Sequence, residues 1–513
     1  MTALRPVLDA LPGADVLVVG DALLDEFLDG EGTGLCREAP VPVVTVDGRR
    51  SVPGGAGNVA ANVAALGGRV SFLSVVGDDR AGRTLGTALR DAGVDVGDVL
   101  VEPGRATVAK RRVLAHGQLL VRFDEGRPVP LRPATERRVL DLLAERFGAA
   151  DVVIVSDYGY GLLTDEVVRT LGAWQRAAPR LLVVDARQVA RYRDLAATAV
   201  TPNYDEIRQL LAGAPPAGPE RAAAVSAQAD RLHDATGARI VAVTLDRDGS
   251  VVCERGRPPY RTWARPVPHS RACGAGDSFT SALALALRAA GDATVAAELA
   301  QAAAAVVTAR DGTSVCSLDD LRAHLAETTT RLEPLDRLVE QVVHHRRQGR
   351  RIVFTNGCFD VLHRGHVDLL NRAKALGDVL VVGLNSDESM RRRGGPGRPI
   401  NSLDDRASVL AALSAIDHLV AFDETTATEL VTRLRPDVYV KGGDYTADML
   451  PEAPQVEAHG GTVHILPYVE DRETVALIER IRRTGQDEPR PGEPAPAVEV
   501  AVDAALEAAC EDA

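Results

Sequence analysis

Four short runs in residues 1–325 are apolar throughout: VLVVG at 16–20, VVIVSD at 152–157, LLVVDA at 181–186 and IVAVTL at 240–245. Each ends in glycine, aspartate or a polar loop. A strand with one wet face alternates apolar with polar residues, whereas a strand covered on both faces has no reason to alternate. Amphipathic Ala-, Leu- and Arg-rich stretches lie between the runs, and a parallel pair needs a helical crossover of that kind. The pattern predicts a large α/β domain over 1–325, with polar loops at the strand ends where ligands bind in such sheets.

A second series begins further on: RIVFTNG (351–357), VLVVGLNSD (379–387), HLVAF (418–422), DVYVKGGD (437–444) and VHILP (463–467). It predicts a smaller doubly wound, Rossmann-like domain over 350–485. Between the two, AETTTRLEP marks a boundary, and Leu335, Leu338, Val339, Val342 and Val343 repeat at helical spacing before Gly349. We read 326–349 as linker and helix. Residues 486–513 are acidic and rich in Pro and Ala, the composition of a disordered tail. A chain of 513 residues exceeds a single ordinary core in any case.

Net charge is −13, from 59 Lys+Arg and 72 Asp+Glu, which argues against nucleic acid as the main partner. The six cysteines are scattered with no C-x-x-C pair, as in a reduced compartment. The first residues, MTALRPVLDALPG, lack a basic and apolar leader, and no run approaches the ~20 apolar residues of a membrane span. The expectation is a cytoplasmic protein without a membrane partner.

Two stretches carry chemistry. The first is Gly274-Ala275-Gly276-Asp277, directly before the helical run SFTSALALALRAAG. Small residues let the backbone approach a ligand, and the first N–H groups of a helix have no partners within it, so the segment suits an anion. Asp277 can take the proton of an attacking hydroxyl. The plainer reading is an aspartate in the first turn after a glycine turn. Other pieces accompany it: Gly20-Asp21-x-x-x-Asp25 after the first strand, with two carboxylates placed for sugar hydroxyls, Pro53-Gly54-Gly55-Ala56-Gly57-Asn58 opening a helix, and Thr201-Pro202-Asn203-Tyr204-Asp205-Glu206 between a strand and a helix.

In this order and spacing the pieces resemble the ribokinase family of sugar kinases across 1–325. That resemblance implies a ribokinase-like fold with a small β-lid, Asp277 as base and Gly274, Ala275 and Gly276 as the anion hole. It also implies Asn203, Tyr204, Asp205 and Glu206 at the ATP–magnesium end, Thr244 and Gly249 near the nucleotide, and Asp25, Gly54, Gly55 and Asn58 on the sugar. Magnesium would arrive with ATP, with no fixed protein ligands for a metal. REAPVPVV (37–44) and QLLVRFD (118–124) are similar to the heptose phosphate kinase branch, PVPVVTVDG (40–48) is a candidate lid strand, and the family dimerises through such lids. Three positions depart from the family pattern: Arg271 stands where an Asp is usual, Tyr160 where heptose kinases carry Lys, and Gln301 where an adenine-side Asn is usual.

The second stretch is FTNGCFDVLHRGH (354–366). Asn-Gly permits a tight turn after the strand, His363 and His366 share one face of the helix start, and Gly365 leaves that face bare. Two imidazoles there can stabilise charge on a phosphate under in-line attack; the plainer reading is two polar histidines at a helix start. With Lys374, Asn385-Ser386-Asp387, Arg406 and Lys441-Gly442-Gly443-Asp444, the stretch resembles the HxGH nucleotidyltransferases over 350–483. The resemblance implies His363 and His366 at the transition state, Lys374 and Arg406 on phosphates, and Asn356, Gly357, Phe359, Asn385, Asp387, Lys441, Gly442 and Asp444 around the nucleotide. One departure is Arg472-Glu473-Thr474-Val475, where that family has a hydroxyl-rich turn.

A sugar kinase followed by an HxGH transferase is similar to the bifunctional heptose 7-phosphate kinase/heptose 1-phosphate adenylyltransferase family. Such enzymes make the 1,7-bisphosphate, rely on a separate phosphatase, and then couple the 1-phosphate to AMP. ATP and sugar phosphates are the implied partners. Alternative readings are a kinase for another sugar phosphate fused to a cytidylyl- or guanylyltransferase, or a partly degenerate nucleotide-binding regulator.

Overall fold

The computed structural model describes residues 5–213, 218, 220–264, 272–310, 312–329, 332–394, 398–443 and 445–467. Arg271, Asp444, the 472–475 segment and the 486–513 tail lie outside them. The chain separates into two compact units, one ending at His324 and one beginning at Leu325, so the division falls inside the helix Leu318–Thr329. The helix Leu335–Arg347 belongs to the second unit, whose core takes in Leu338 and Val342.

In chain order the first unit has β1 (Asp15–Gly20), β2 (Ala22–Leu35), β3 (Pro42–Gly55), β4 (Arg69–Gly77), β5 (Val99–Glu102), β6 (Ala109–Ala115), β7 (Gln118–Glu125), β8 (Val152–Asp157) and β9 (Leu181–Ala186). It continues with β10 (Ala199–Val200), β11 (Ile240–Thr244), β12 (Ser250–Glu254), β13 (Tyr260–Thr262), β14 (Ala272–Cys273) and β15 (Gly312–Thr313). Among the described residues, nine of these form one sheet in the order β13-β12-β11-β10-β9-β8-β1-β4-β5. It is parallel except at one edge, where β12 and β13 run antiparallel. Strands that read as continuously apolar are buried on both faces; all six residues of β8 are. From β1 the chain crosses to β4 on one side, and β8 lies on the other, so the loops after β1 and β8 open a crevice at the strands' carboxyl ends.

A four-stranded lid, order β3-β2-β6-β7, departs from this body. β2 shows how: Ala22–Phe27 are buried, and the strand becomes exposed from Glu31 onward. The lid contains both PVPVVTVDG and QLLVRFD.

The second unit carries β16 (Ile352–Gly357), β17 (Val379–Asn385), β18 (His418–Phe422), β19 (Val438–Gly442) and β20 (Thr462–Leu466) in the order β18-β17-β16-β19-β20, all parallel. β16 is central, so the strand order reverses at its carboxyl end. The Asn356-Gly357 turn and the two histidines follow that end directly. No helix among the described residues is long and apolar enough to cross a membrane.

Candidate active sites

In the first unit the helix Ala275–Ala290 starts from Gly274, whose φ of 87° puts it in the left-handed region. A Cβ at Gly274 would lie 2.4 Å from the Asn58 amide nitrogen, so side-chain-free backbone is required there twice over. Gly276 differs: a Cβ would meet nothing within 4 Å. Asp277 is in the first turn and buried. Its Oδ2 accepts from Asn58 Nδ2 at 2.6 Å and its Oδ1 from the Tyr158 hydroxyl at 2.7 Å. Burial pushes its carboxyl up to about 6, and the two donors pull against that rise.

Asp25 lies in the buried part of β2, where it accepts from Arg112 at 2.6 Å and from Thr313 Oγ1 at 3.1 Å. Gly54 pairs with Leu23 on that strand, and a Cβ there would sit 2.6 Å from Asp25 Oδ2. Gly55 (φ 58°) then turns the chain into the helix Ala56–Ala65, which brings Asn58 to Asp277. Asp25, Gly54, Gly55, Asn58, Gly274 and Asp277 therefore converge. Asp21 serves differently from the sugar role its spacing predicted. Its carboxylate accepts backbone N–H groups of Tyr158, Tyr160 and Leu162, so it holds the loop after β8.

Asn203 caps the helix Tyr204–Ile207 in a reciprocal pairing with Glu206, and it bridges Thr244. Asp205 is exposed. Tyr204 packs into the core with the Arg221 guanidinium over its ring, because an apolar face is what this short helix has to bury. Gly249 (φ 86°) makes the turn between β11 and β12, and a Cβ there would strike Thr262 O at 2.2 Å. Gln301 is buried and accepts from Thr262 Oγ1.

Sequence reasoning passed over several groups beside these. Burial pushes the Asp185 carboxyl upward, and Asp277, Glu206 and Asp157 push it further. Asp157 and Asp185 are the last acids of VVIVSD and LLVVDA, and that strand-end position is the signal that finds them. Lys110, on lid strand β6, holds its ammonium 5.3 Å from the centroid of the Tyr158 ring, and burial lowers its pKa. Nothing in AKRRVLA marks it; the lid fold brings it there.

In the second unit, the turn after β16 is tight because a Cβ on Gly357 would come 3.0 Å from the Phe359 ring. Phe359 itself has φ 47° and packs against His366, centroids 5.1 Å apart. His363 caps the helix Arg364–Lys374. Its Nδ1 accepts from Gly365 N at 3.1 Å, and its own N–H donates to His366 Nδ1 at 3.4 Å. With both Nδ1 atoms accepting, each neutral ring carries its proton on Nε2. The ring centroids are 3.9 Å apart. Burial, then the charge His363 can carry, pushes His366 down to about 3.

Asn356 Oδ1 accepts from the Tyr439 hydroxyl at 2.7 Å. Arg406 is buried and donates to Asn401 O, Cys358 O, Asn385 O and Asp387 Oδ1, so it ties Asn385 and Asp387 to the turn instead of presenting an open fork to a phosphate. Lys374 is not brought to the histidines. It ends the helix that His363 begins, and its ammonium bonds Asp378 O and Asp417 Oδ2 at 2.5 Å. Lys441 lies over the Tyr445 ring, and Gly442 has no room for a Cβ beside Leu369.

Two family models match the chain: pfkB family carbohydrate kinase over residues 14–320 and cytidylyltransferase-like over 354–484. Proteins described as bifunctional protein HldE match almost end to end. That of Geobacter sulfurreducens is 38% identical, over 92% of this chain and 97% of its own. That of Mesorhizobium japonicum is 39% identical, over 92% and 95%. The chain belongs to the bifunctional HldE family. Its first unit is a pfkB family carbohydrate kinase by the same matches. Phosphofructokinase-2 from Escherichia coli, solved with potassium, superposes with a TM-score of 0.51 at 20% identity, over 62% of this chain and 99% of that one, which speaks for the fold alone. HldE membership joins the two sites in one chain, each at a strand-end crevice with a helix start beneath it.

Proposed function

We propose that the chain carries out two reactions: phosphorylation of D-glycero-β-D-manno-heptose 7-phosphate at C1 by ATP, and transfer of AMP from ATP to heptose 1-phosphate, giving ADP-heptose and pyrophosphate. The observation that carries this is the pair of helix starts in one HldE-family chain, one armed with a buried carboxylate and the other with two Nε2–H imidazoles.

In the first reaction Asp277 takes the C1 hydroxyl proton as that oxygen bonds the γ-phosphorus, and the bond to the β-phosphate oxygen breaks. The N–H groups that follow Gly274 face the charge on the transferring group, and Asp25 holds sugar hydroxyls. Asn58 acts through Asp277, to which its amide is already committed. Magnesium fits this site: burial and the nearby Glu206 push the Asp185 carboxyl upward, a cost to its charge that a cation borne by ATP would offset. Magnesium bound to ATP would neutralise phosphate charge there. In the second reaction the sugar phosphate oxygen attacks the α-phosphorus of ATP and pyrophosphate leaves, while Nε2–H of His363 and of His366 donate to the phosphate. No side-chain nucleophile is needed.

Both reactions consume ATP and phosphorylated sugars, which is why we place the enzyme in the cytoplasm. We further propose a homodimer through the lid, on which Val43, Val46, Leu119, Val121 and Phe123 are exposed apolar residues. Incubation with ATP, magnesium and heptose 7-phosphate should yield sugar-dependent ADP, and added phosphatase should bring pyrophosphate. Neither product with heptose, against activity with another sugar phosphate or with CTP or GTP, would overturn the assignment. Light scattering at the mass of one chain would overturn the dimer.

A further inference from the structure

The base of the kinase site is held at both oxygens, by Asn58, which the sequence placed on the sugar, and by Tyr158, which the sequence did not mark. We propose that Tyr158 is a positioning residue for Asp277, one that fixes the carboxylate and keeps it ionised at neutral pH. This rests on the kinase reading given above.

The geometry is built from three directions. Asp21 accepts the Tyr158 and Tyr160 backbone N–H groups at 3.1 and 2.8 Å, so the loop after β8 is pinned beneath the tyrosine. Lys110 covers the ring from the lid. The hydroxyl then donates to Asp277 Oδ1 at 2.7 Å, opposite Asn58 on Oδ2. Burial and the neighbouring carboxylates push the Tyr158 phenol upward, so it stays a donor across the working pH range. The charged groups facing Asp277 are Asp25 from β2, Lys110 from β6 and Asp185 from β9. Asp25 opposes ionisation and Lys110 favours it, each more weakly than either hydrogen bond, so the burden of keeping the base ionised falls on the two donors. Each donor leaves a second lone pair on its oxygen, and the attacking hydroxyl can be received there.

Tyr158→Phe keeps the ring under Lys110 and removes only the donor. The acid limb of kinase kcat/KM should move up by about one pH unit, since a hydrogen bond to a charged group is worth about that much. Activity should fall about tenfold just below the wild-type limb and recover at alkaline pH, with KM for ATP unchanged. A uniform loss at every pH with the limb unmoved, or no change at all, would overturn the proposal. If Tyr158→Phe does not fold, 3-fluorotyrosine placed at position 158 keeps the shape and donates more strongly, and the limb should then move down. The 13C carboxyl resonance of Asp277, assigned by its absence in Asp277→Asn, titrates without any substrate. Its midpoint should shift in the same directions, and an unmoved midpoint would overturn the proposal. A wild-type protein that phosphorylates no sugar while this midpoint still shifts would sink the kinase reading and leave the positioning role standing.

Discussion

Two glycines two residues apart separate folding from phosphate handling. At Gly274 an alanine Cβ would sit 2.4 Å from Asn58 Nδ2, in a backbone with φ 87°. The left-handed conformation costs a non-glycine residue about 1–2 kcal/mol. Displacing Asn58 removes a hydrogen bond to a buried carboxylate, about 1.5–3 kcal/mol more. Gly274→Ala should thus destabilise the first unit by about 2.5–5 kcal/mol and, through the loosened Asp277, lower kinase activity at every sugar concentration. Gly276→Ala adds the same methyl to open space. In a helix it should stabilise by about 0.5–1 kcal/mol, roughly 1 °C in Tm for a unit of this size. If the transferring phosphate occupies that space, the more stable variant is the one that handles ATP poorly. Thermal unfolding beside steady-state ADP release decides the matter. Gly276→Ala with raised Tm and wild-type kcat and KM for ATP would refute a phosphate position against this helix start.

The remaining predictions are shorter. Asp277→Asn should abolish ADP formation from heptose 7-phosphate and leave pyrophosphate release from supplied heptose 1-phosphate intact, and His366→Ala should do the reverse, each read by coupled assay on the full chain. Wild-type kinase activity should fall as pH drops through about 6, because the base must be ionised and burial has raised it that far. The second unit should lose stability as pH falls from about 6.5 toward 3. His366 is held to about 3 in the fold, so the unfolded chain binds that proton first and acid favours it; denaturant midpoints at stepped pH read this. Lys374→Met leaves Asp417 without its cation and should cost about 3 kcal/mol of second-unit stability without raising KM for ATP, whereas a phosphate-binding lysine would show the opposite split.

The periodic parts of this chain were legible because burial on both faces leaves a continuous trace. VVIVSD, LLVVDA and HLVAF became strands with those very ends. The helix starts were legible as well, since Gly274 and the Asn-Gly turn answer local backbone demands that a short stretch displays. Contacts made at long range were not. Tyr158 reaches Asp277 across 119 positions and Lys110 arrives on a lid strand, and neither departs from its local pattern in a way that reveals a partner. Lys374 and Arg406 show the converse: a cation at family spacing says nothing of whether an acid or a carbonyl has already taken it. Here Asp417 has taken the first, and Asp387 with three carbonyls the second.

The two sites use one physical effect to opposite ends. Desolvation favours the neutral form of any titratable group. For His366 that is the form the proposed transfer uses: a neutral ring whose Nδ1 is already bonded to a backbone N–H keeps its proton on Nε2, where it would meet a phosphate. Burial alone therefore prepares the imidazole, and a packed phenylalanine is a sufficient neighbour. For Asp277 the neutral form is useless, since a protonated carboxyl accepts no proton from a sugar. Burial there has to be opposed, which is why two donors converge on the carboxylate while His366 has an aromatic wall. Removing a donor from the first site should accordingly shift its pH dependence, whereas Phe359→Leu in the second should change the rate of adenylyl transfer without introducing a new ionisation. A Phe359→Leu profile with a fresh limb near 6.5 would show that the wall, and not burial of the ring as a whole, keeps His366 neutral.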